Sequence, residues 1–424
     1  MEEFKQLIPE FGLLTLSVLL FFGVILHYGL HRKSMAIFYL LILTELYTPA
    51  CYYMAGITSY LKFGLKAFQL YMLMGTLSFL GYSLILICVQ RLRFERKYLV
   101  LTHCDISAKR MAMLWLFVMC VIGMVVIYLV HFRDNFPFYQ AVFRNFKMED
   151  RPDTSGAIPH WFTLSAFIVV ALPTFYLYYH QKRNFHKITN LALICLLSLA
   201  MVLGGNKGFV VYWFIFLWVY LWKMRIDGRV VAAALIAIIF TSIIMGGSLT
   251  NISISYLKST AEYGFGRFFL TQGAMLVNRF EMVLQDYSFN DTRLSEQVFP
   301  FVYGEEGGSA PTYYLGDLLI QFGFVGGFLL HLLVFMVLAI IGQYLDRQEF
   351  SEYKTYLFFC VQYFLGMAEI SMPFLYRLLL ILALALLFAL LGARSDPLRS
   401  PVTYSSGSSS STQLLRNKSP KKEF

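Results

Sequence analysis

Arg279, Glu281 and Asp286 place one cation and two carboxylates in a single short stretch, and that combination has a definite chemistry. A guanidinium grips a lipid-linked pyrophosphate through a planar, charged donor fork. A carboxylate beside it can take the proton from an attacking sugar hydroxyl. Arg279 and Asp286 are seven residues apart, which puts both on one helical face two turns apart. The competing reading is an ion pair that steadies a solvated helix. A second polar group, Glu305, Glu306 and Ser309, precedes Pro311. It is either a carboxylate pair presented to a sugar or a solvated acidic turn.

Three further cations stand apart in the sequence. Arg267, in Gly264-Phe265-Gly266-Arg267, has glycines and aromatics around it that can shape a sugar or phosphate pocket, or anchor the chain at a membrane surface. Lys207 lies on the turn Gly204-Gly205-Asn206-Lys207-Gly208 after an apolar run, where it either neutralises phosphate or snorkels to the head groups. Arg377 follows Pro373 in the first turn of the last apolar run, where an ionisable group is a site candidate by default. Its structural alternative is a pair with Glu369. Glu45 is an intramembrane acid that neighbouring helices can satisfy, and it is not read as catalytic.

The elements that must position these groups are membrane helices. The chain is 58% hydrophobic and only 14% charged, with a mean hydropathy of +0.62. A span needs about 20 mostly apolar residues. Eleven segments qualify, near 11–30, 35–57, 68–89, 111–131, 161–180, 188–204, 208–223, 230–246, 313–342, 354–372 and 374–393. Irregular backbone cannot face lipid, so these segments predict an all-α polytopic bundle rather than a barrel. The division is 1–246 for helices one to eight with an outer loop at 132–160, a large helical outer loop at 247–312, helices nine to eleven over 313–394, and a low-complexity basic tail at 395–424 read as disordered and cytoplasmic. The 247–312 loop carries seven acids and four bases in an otherwise apolar chain. Tyr313 opens the ninth span, in which Gly323 and Gly327 form a small-x-x-x-small pair suited to close packing.

Most of the 35 lysines and arginines fall on alternate loops, densest at Arg91, Arg93, Arg96, Lys97, Lys109 and Arg110. The positive-inside rule puts those loops in the cytoplasm, the N-terminus outside and the 247–312 loop outside. The net charge of +10 then reflects topology and anionic lipid contact, not nucleic-acid binding. The first apolar run has no basic region before it and no small-residue cleavage site, and reads as a retained helix. The six cysteines show no zinc spacing. No phosphate-cradling loop, His-Glu-x-x-His motif or nucleophile elbow occurs, which argues against nucleotide hydrolysis and zinc proteolysis. An Asp-x-Asp metal motif is also missing, which disfavours metal-dependent nucleotide-sugar transfer. No cofactor and no metal are expected.

Four stretches in order carry a resemblance: Val202-Leu203-Gly204-Gly205-Asn206-Lys207-Gly208; Phe269-Leu270-Thr271 through Val283-Leu284-Gln285-Asp286-Tyr287; Ser309-Ala310-Pro311-Thr312 with Leu315-Gly316 and Gly323-x-x-Gly326-Gly327; and Tyr376-Arg377. Together with the hydropathy profile they resemble the Wzy-type oligosaccharide repeat-unit polymerases of O-antigen and enterobacterial common antigen, most of all the common antigen branch. The resemblance implies a fold similar to the polytopic glycosyltransferases of the GT-C type that use polyprenyl-linked donors. It implies polymerisation at the periplasmic face of the bacterial inner membrane. There, undecaprenyl-pyrophosphate-linked repeat units are joined without a nucleotide sugar, with a chain-length regulator and a flippase as partners. By matching position Lys207 falls where relatives often carry arginine, and Arg377 falls on a matching arginine. Lysine keeps the charge but loses the bidentate fork. The expected site is thus Glu281, Asp286, Glu305 and Glu306 for catalysis, and Arg279, Arg267, Arg377, Lys207, Ser309 and Tyr313 for pyrophosphate and substrate.

Two other classes share the architecture. A ligase would move the glycan onto a lipid A core sugar. A lipid-linked oligosaccharide flippase would spread charges over many spans and show two similar halves, whereas here the polar mass is one-sided.

Overall fold

The computed structural model describes residues 2–29, 35–56, 63–92, 272–287, 294–304 and 314–347, with scattered positions in 112–130, 214–236 and 355–362 and at 188. Its helices are α1 (Glu2–Gly29), α2 (Ala36–Leu46), α3 (Thr48–Met54), α4 (Leu65–Arg91), α5 (Gln272–Leu284), α6 (Leu294–Tyr303) and α7 (Tyr314–Arg347). There is no strand among the described residues. Among the described residues, three stretches, Gln6–His27, Leu65–Arg91 and Tyr314–Asp346, are long and apolar enough to cross a bilayer. The chain is a membrane α-helical protein.

Helix α1 shows why burial does not need an amphipathic sequence here. Leu7, Leu14, Val18, Phe21 and Val24 recur at helical spacing and are buried, while Leu13, Leu16, Leu19 and Leu20 on the other side are exposed. A helix apolar all round belongs in lipid, with protein on one face only. The expected second span is broken in two at Tyr47, with Pro49 in the first turn of α3. A proline there removes an N–H that has no helical partner anyway.

Side-chain contacts set the directions. Gly75 of α4 lies against Leu14 of α1 and the Leu46 carbonyl of α2. Further along, Phe21 meets Phe79 and Tyr82. So α1 and α4 run the same way and α2 runs against them. Tyr71 of α4 and Phe324 of α7 both touch Phe280 of α5, and Tyr82 stacks on Phe335. The stretch of α7 after Gly323 is therefore parallel to α4.

Helix α7 is not one rod. Gly323 has φ 70°, ψ 177°, outside the helical region. The Tyr314 hydroxyl donates to the His331 carbonyl at 3.2 Å, although seventeen residues of straight helix would separate the two by about 25 Å. The only geometry that satisfies both facts is a reversal at Gly323. Residues 314–322 form a short arm folded back on the long arm, 324–347. Close approach is possible because Gly327 has no side chain: a Cβ there would stand 2.6 Å from the Leu318 carbonyl oxygen. The long arm alone is about 36 Å, enough to cross. The expected ninth span thus starts about three turns later than the hydropathy suggests, and its first residues form a folded-back arm.

Helix α5 packs against α2, α3, α4, α6 and α7. Gly273 lets it in, since a Cβ at that position would overlap the Pro49 ring and stand 3.2 Å from the Glu45 carbonyl. Proline and backbone cannot swing aside. Gly273→Ala is expected to lower stability by about 1–3 kcal/mol, read as an earlier thermal unfolding transition of the purified protein in detergent. An unchanged transition would show that α5 is not seated against α3.

Candidate functional site

The sequence puts α5 in a polar outer loop, yet the structure seats it inside the helix bundle. Ala274, Met275, Leu276, Val277, Asn278, Arg279 and Phe280 are all buried, so α5 offers no solvated face over that stretch. Arg279 is 0% exposed, and so is Asp317 on the short arm of α7. The Arg279 Nε donates to Asp317 Oδ1 at 3.0 Å, and its Nη1 donates to the Met275 carbonyl at 3.2 Å. A charge in such a place is tolerable only when paired and hydrogen-bonded. The adjacent Asn278 spends its Nδ2 on the Ala274 carbonyl, while its buried Oδ1 has no hydrogen-bond partner among the described residues. Leaving such an acceptor unmatched costs free energy, so the middle of α5 is polar at some expense.

Glu281 is two residues on but faces elsewhere. Its Oε2 accepts the Gly64 N–H at 2.8 Å, and its Oε1 accepts from Gln285 Nε2 at 2.7 Å. Gly64 is the cap residue at the start of α4, where N–H groups lack helical partners and the dipole favours negative charge. The Oε2 bond therefore fastens α5 to the head of α4, while the Oε1 bond stays within the C-terminal end of α5.

Asp286 does not share a face with Arg279, because the helix ends at Leu284. The Asp286 N–H bonds the Val283 carbonyl at 3.3 Å and the Tyr287 N–H bonds the Met282 carbonyl at 3.1 Å. This pair of bonds is a Schellman closure, with Asp286 in the left-handed position at φ 50°. The seven-residue spacing misled because it assumed two more helical residues than the chain forms. Asp286→Gly is expected to raise stability by about 0.4–1 kcal/mol, since glycine adopts positive φ without strain, read as a later thermal unfolding transition in detergent. An earlier transition would show that residue 286 does not hold the left-handed conformation.

Asp317 was missed by the sequence reading. Its signal was present: an acid in the first turn of an apolar span is a site candidate by default. The same holds for His331, a fully buried residue of the long arm. Its Nε2 is in hydrogen-bond contact with the Tyr82 hydroxyl, and its ring lies 5.3 Å from that of Tyr314. Tyr314 and Asp317 are one turn apart on the short arm. The polar groups thus form a seam along the hairpin, with Tyr82, His331 and Tyr314 at one end and Asp317 and Arg279 at the other. The remaining expected site residues, Lys207, Arg267, Glu305, Glu306, Ser309, Tyr313 and Arg377, lie outside the described residues.

No family model, no curated protein and no solved structure matches this chain.

Proposed function

We propose that this chain is a multi-pass glycosyltransferase of the bacterial inner membrane. It joins undecaprenyl-pyrophosphate-linked oligosaccharide repeat units into a surface polysaccharide at the outer face. The observation that carries this reading is the arginine of the polar segment, Arg279, drawn wholly into the bundle against an acid on a broken span. Broken helices at membrane depth are tolerated where they are buried in protein or line a cavity, and they mark substrate sites in many membrane proteins. A pyrophosphate leaving group needs preorganised cations rather than a proton, and a dry site strengthens their effect. Arg279 is such a cation, and Arg267, Lys207 and Arg377 are the others assigned to this task.

The eleven-span architecture of the GT-C type belongs to the same proposal. The shared direction of α4 and the long arm accords with an odd number of crossings between them, which the five proposed spans four to eight would supply. The test uses purified protein in nanodiscs with lipid-linked repeat units, resolved on a gel. A ladder of polymer from the wild-type chain, lost in Arg279→Ala and Arg377→Ala, is the expected result. Transfer of a single block onto lipid A core would make the chain a ligase. Movement of the donor across the bilayer without any new glycosidic bond would make it a flippase.

A further inference from the structure

We propose that Asp317 is the base that deprotonates the acceptor sugar hydroxyl, and that Arg279 guards it until the donor pyrophosphate draws the guanidinium away. This inference rests on the glycosyltransferase reading and adds a residue that the reading did not contain.

Three observations converge on Asp317. It is an acid with 0% exposure, so its burial has to be matched by its partner. That partner is the residue best suited to grip a pyrophosphate, held at 3.0 Å through Nε. And Asp317 rides on the short arm that Gly323 folds back into the bundle, a placement that a continuous span would not create. The other carboxylate close to Arg279 in sequence, Glu281, is engaged by Gly64 and Gln285 on a different side.

The physical logic is an exchange of partners. While Arg279 holds Asp317, the carboxylate is neutralised and makes a poor proton acceptor. A pyrophosphate carries more negative charge than one carboxylate and accepts the same fork of donors. Its arrival moves Arg279 from Asp317 to the leaving group. The carboxylate, released from the guanidinium, can then take the proton of the acceptor hydroxyl. Base strength thus appears only when the donor is bound, which protects the donor from premature attack.

The step balances. The acceptor O–H gives its proton to the Asp317 carboxylate, and the oxygen forms a bond to the anomeric carbon of the growing chain. The bond from that carbon to the pyrophosphate oxygen breaks, and undecaprenyl pyrophosphate departs with the electron pair while Arg279 steadies its charge. The proton then leaves Asp317 for solvent, and the Arg279 pair re-forms.

The experiment compares wild-type protein, Asp317→Asn and Asp317→Glu, each purified in nanodiscs. One assay follows elongation of lipid-linked repeat units, and a second follows retention of radiolabelled undecaprenyl pyrophosphate alone. Asparagine keeps an oxygen to accept from Nε but cannot take a proton. Its elongation rate is expected to fall by about 100-fold or more, with undecaprenyl pyrophosphate retained as well as by wild type or better. The wild-type rate should fall on the acid side, and Asp317→Glu should elongate with that limb displaced. Elongation by Asp317→Asn at the wild-type rate overturns the base while leaving the glycosyltransferase intact. If Asp317→Asn fails to fold, the pH profiles decide: a limb that is missing, or that Asp317→Glu does not move, also overturns the base. A wild-type chain that retains undecaprenyl pyrophosphate but forms no ladder removes the enzyme reading itself, and this inference with it.

Discussion

Arg279→Ala is expected to do two kinds of damage at once, abolishing polymer and destabilising the folded protein by about 3–5 kcal/mol. The first follows, on the glycosyltransferase proposal, from the loss of the cation that would hold the pyrophosphate. The second follows from what remains: Asp317 keeps its charge at 0% exposure with its 3.0 Å partner gone, and the Met275 carbonyl loses a donor. A blank gel lane from this variant alone therefore says little about function. The informative companion is Arg279→Met combined with Asp317→Leu. Replacing a buried ion pair by apolar groups of similar volume is often neutral or stabilising, by about 1–4 kcal/mol. The double variant should unfold at or above the wild-type temperature in detergent and still make no polymer. Normal-length chains from that protein would reduce Arg279 to a strut between α5 and α7. A double variant as unstable as Arg279→Ala would show that the pair was never buried as a unit.

The same pair shows how far the sequence carried. Hydropathy found the three long apolar helices of the described residues, because composition alone decides what can sit in lipid; most of the other expected spans fall largely outside those residues. The grouping of charges also singled out Arg279 among the four bases of the polar stretch. It did not find Asp317, thirty-eight residues away, since no local periodicity links a loop helix to the arm of a later span. Nor could hydropathy reveal the reversal at Gly323. Glycine and the residues around it are as apolar as the rest of the run, and a broken helix and a straight one have the same composition. The Gly323–Gly327 spacing was read as a surface for another helix. Gly327 instead faces the same helix, folded over itself, with Leu318 where a partner was expected, and Gly323 is the reversal that brings it there. Asp286 failed for the opposite reason: a local rule was extended past the point where the chain closes with a left-handed residue.

Straightening α7 should be the most damaging change available without touching a charged group. Gly327→Val drives a Cβ to 2.6 Å from the Leu318 carbonyl oxygen and 2.7 Å from the Leu319 Cα. Both are backbone atoms, so neither can rotate aside, and the cost is about 3 kcal/mol or more. Gly323→Ala adds about 1–3 kcal/mol by placing a side chain at φ 70°, ψ 177°, a region that essentially only glycine occupies. With both changes the folded-back arm loses its advantage over a continuous helix, which asks nothing unusual of either position. The measurement is a short bifunctional thiol reagent applied to cysteines at 315 and 330, in a chain whose native cysteines have been replaced. Folded back, the two positions are neighbours, because Tyr314 already reaches His331. In a straight helix they are about 22 Å apart, beyond the reagent. Cross-linking in the parent and none in the double variant is expected, with polymer lost in parallel because Asp317 leaves Arg279. Equal cross-linking would mean that the arms close without the glycines, and a parent that never cross-links would mean that α7 crosses as one rod and that Asp317 lies far from the arginine.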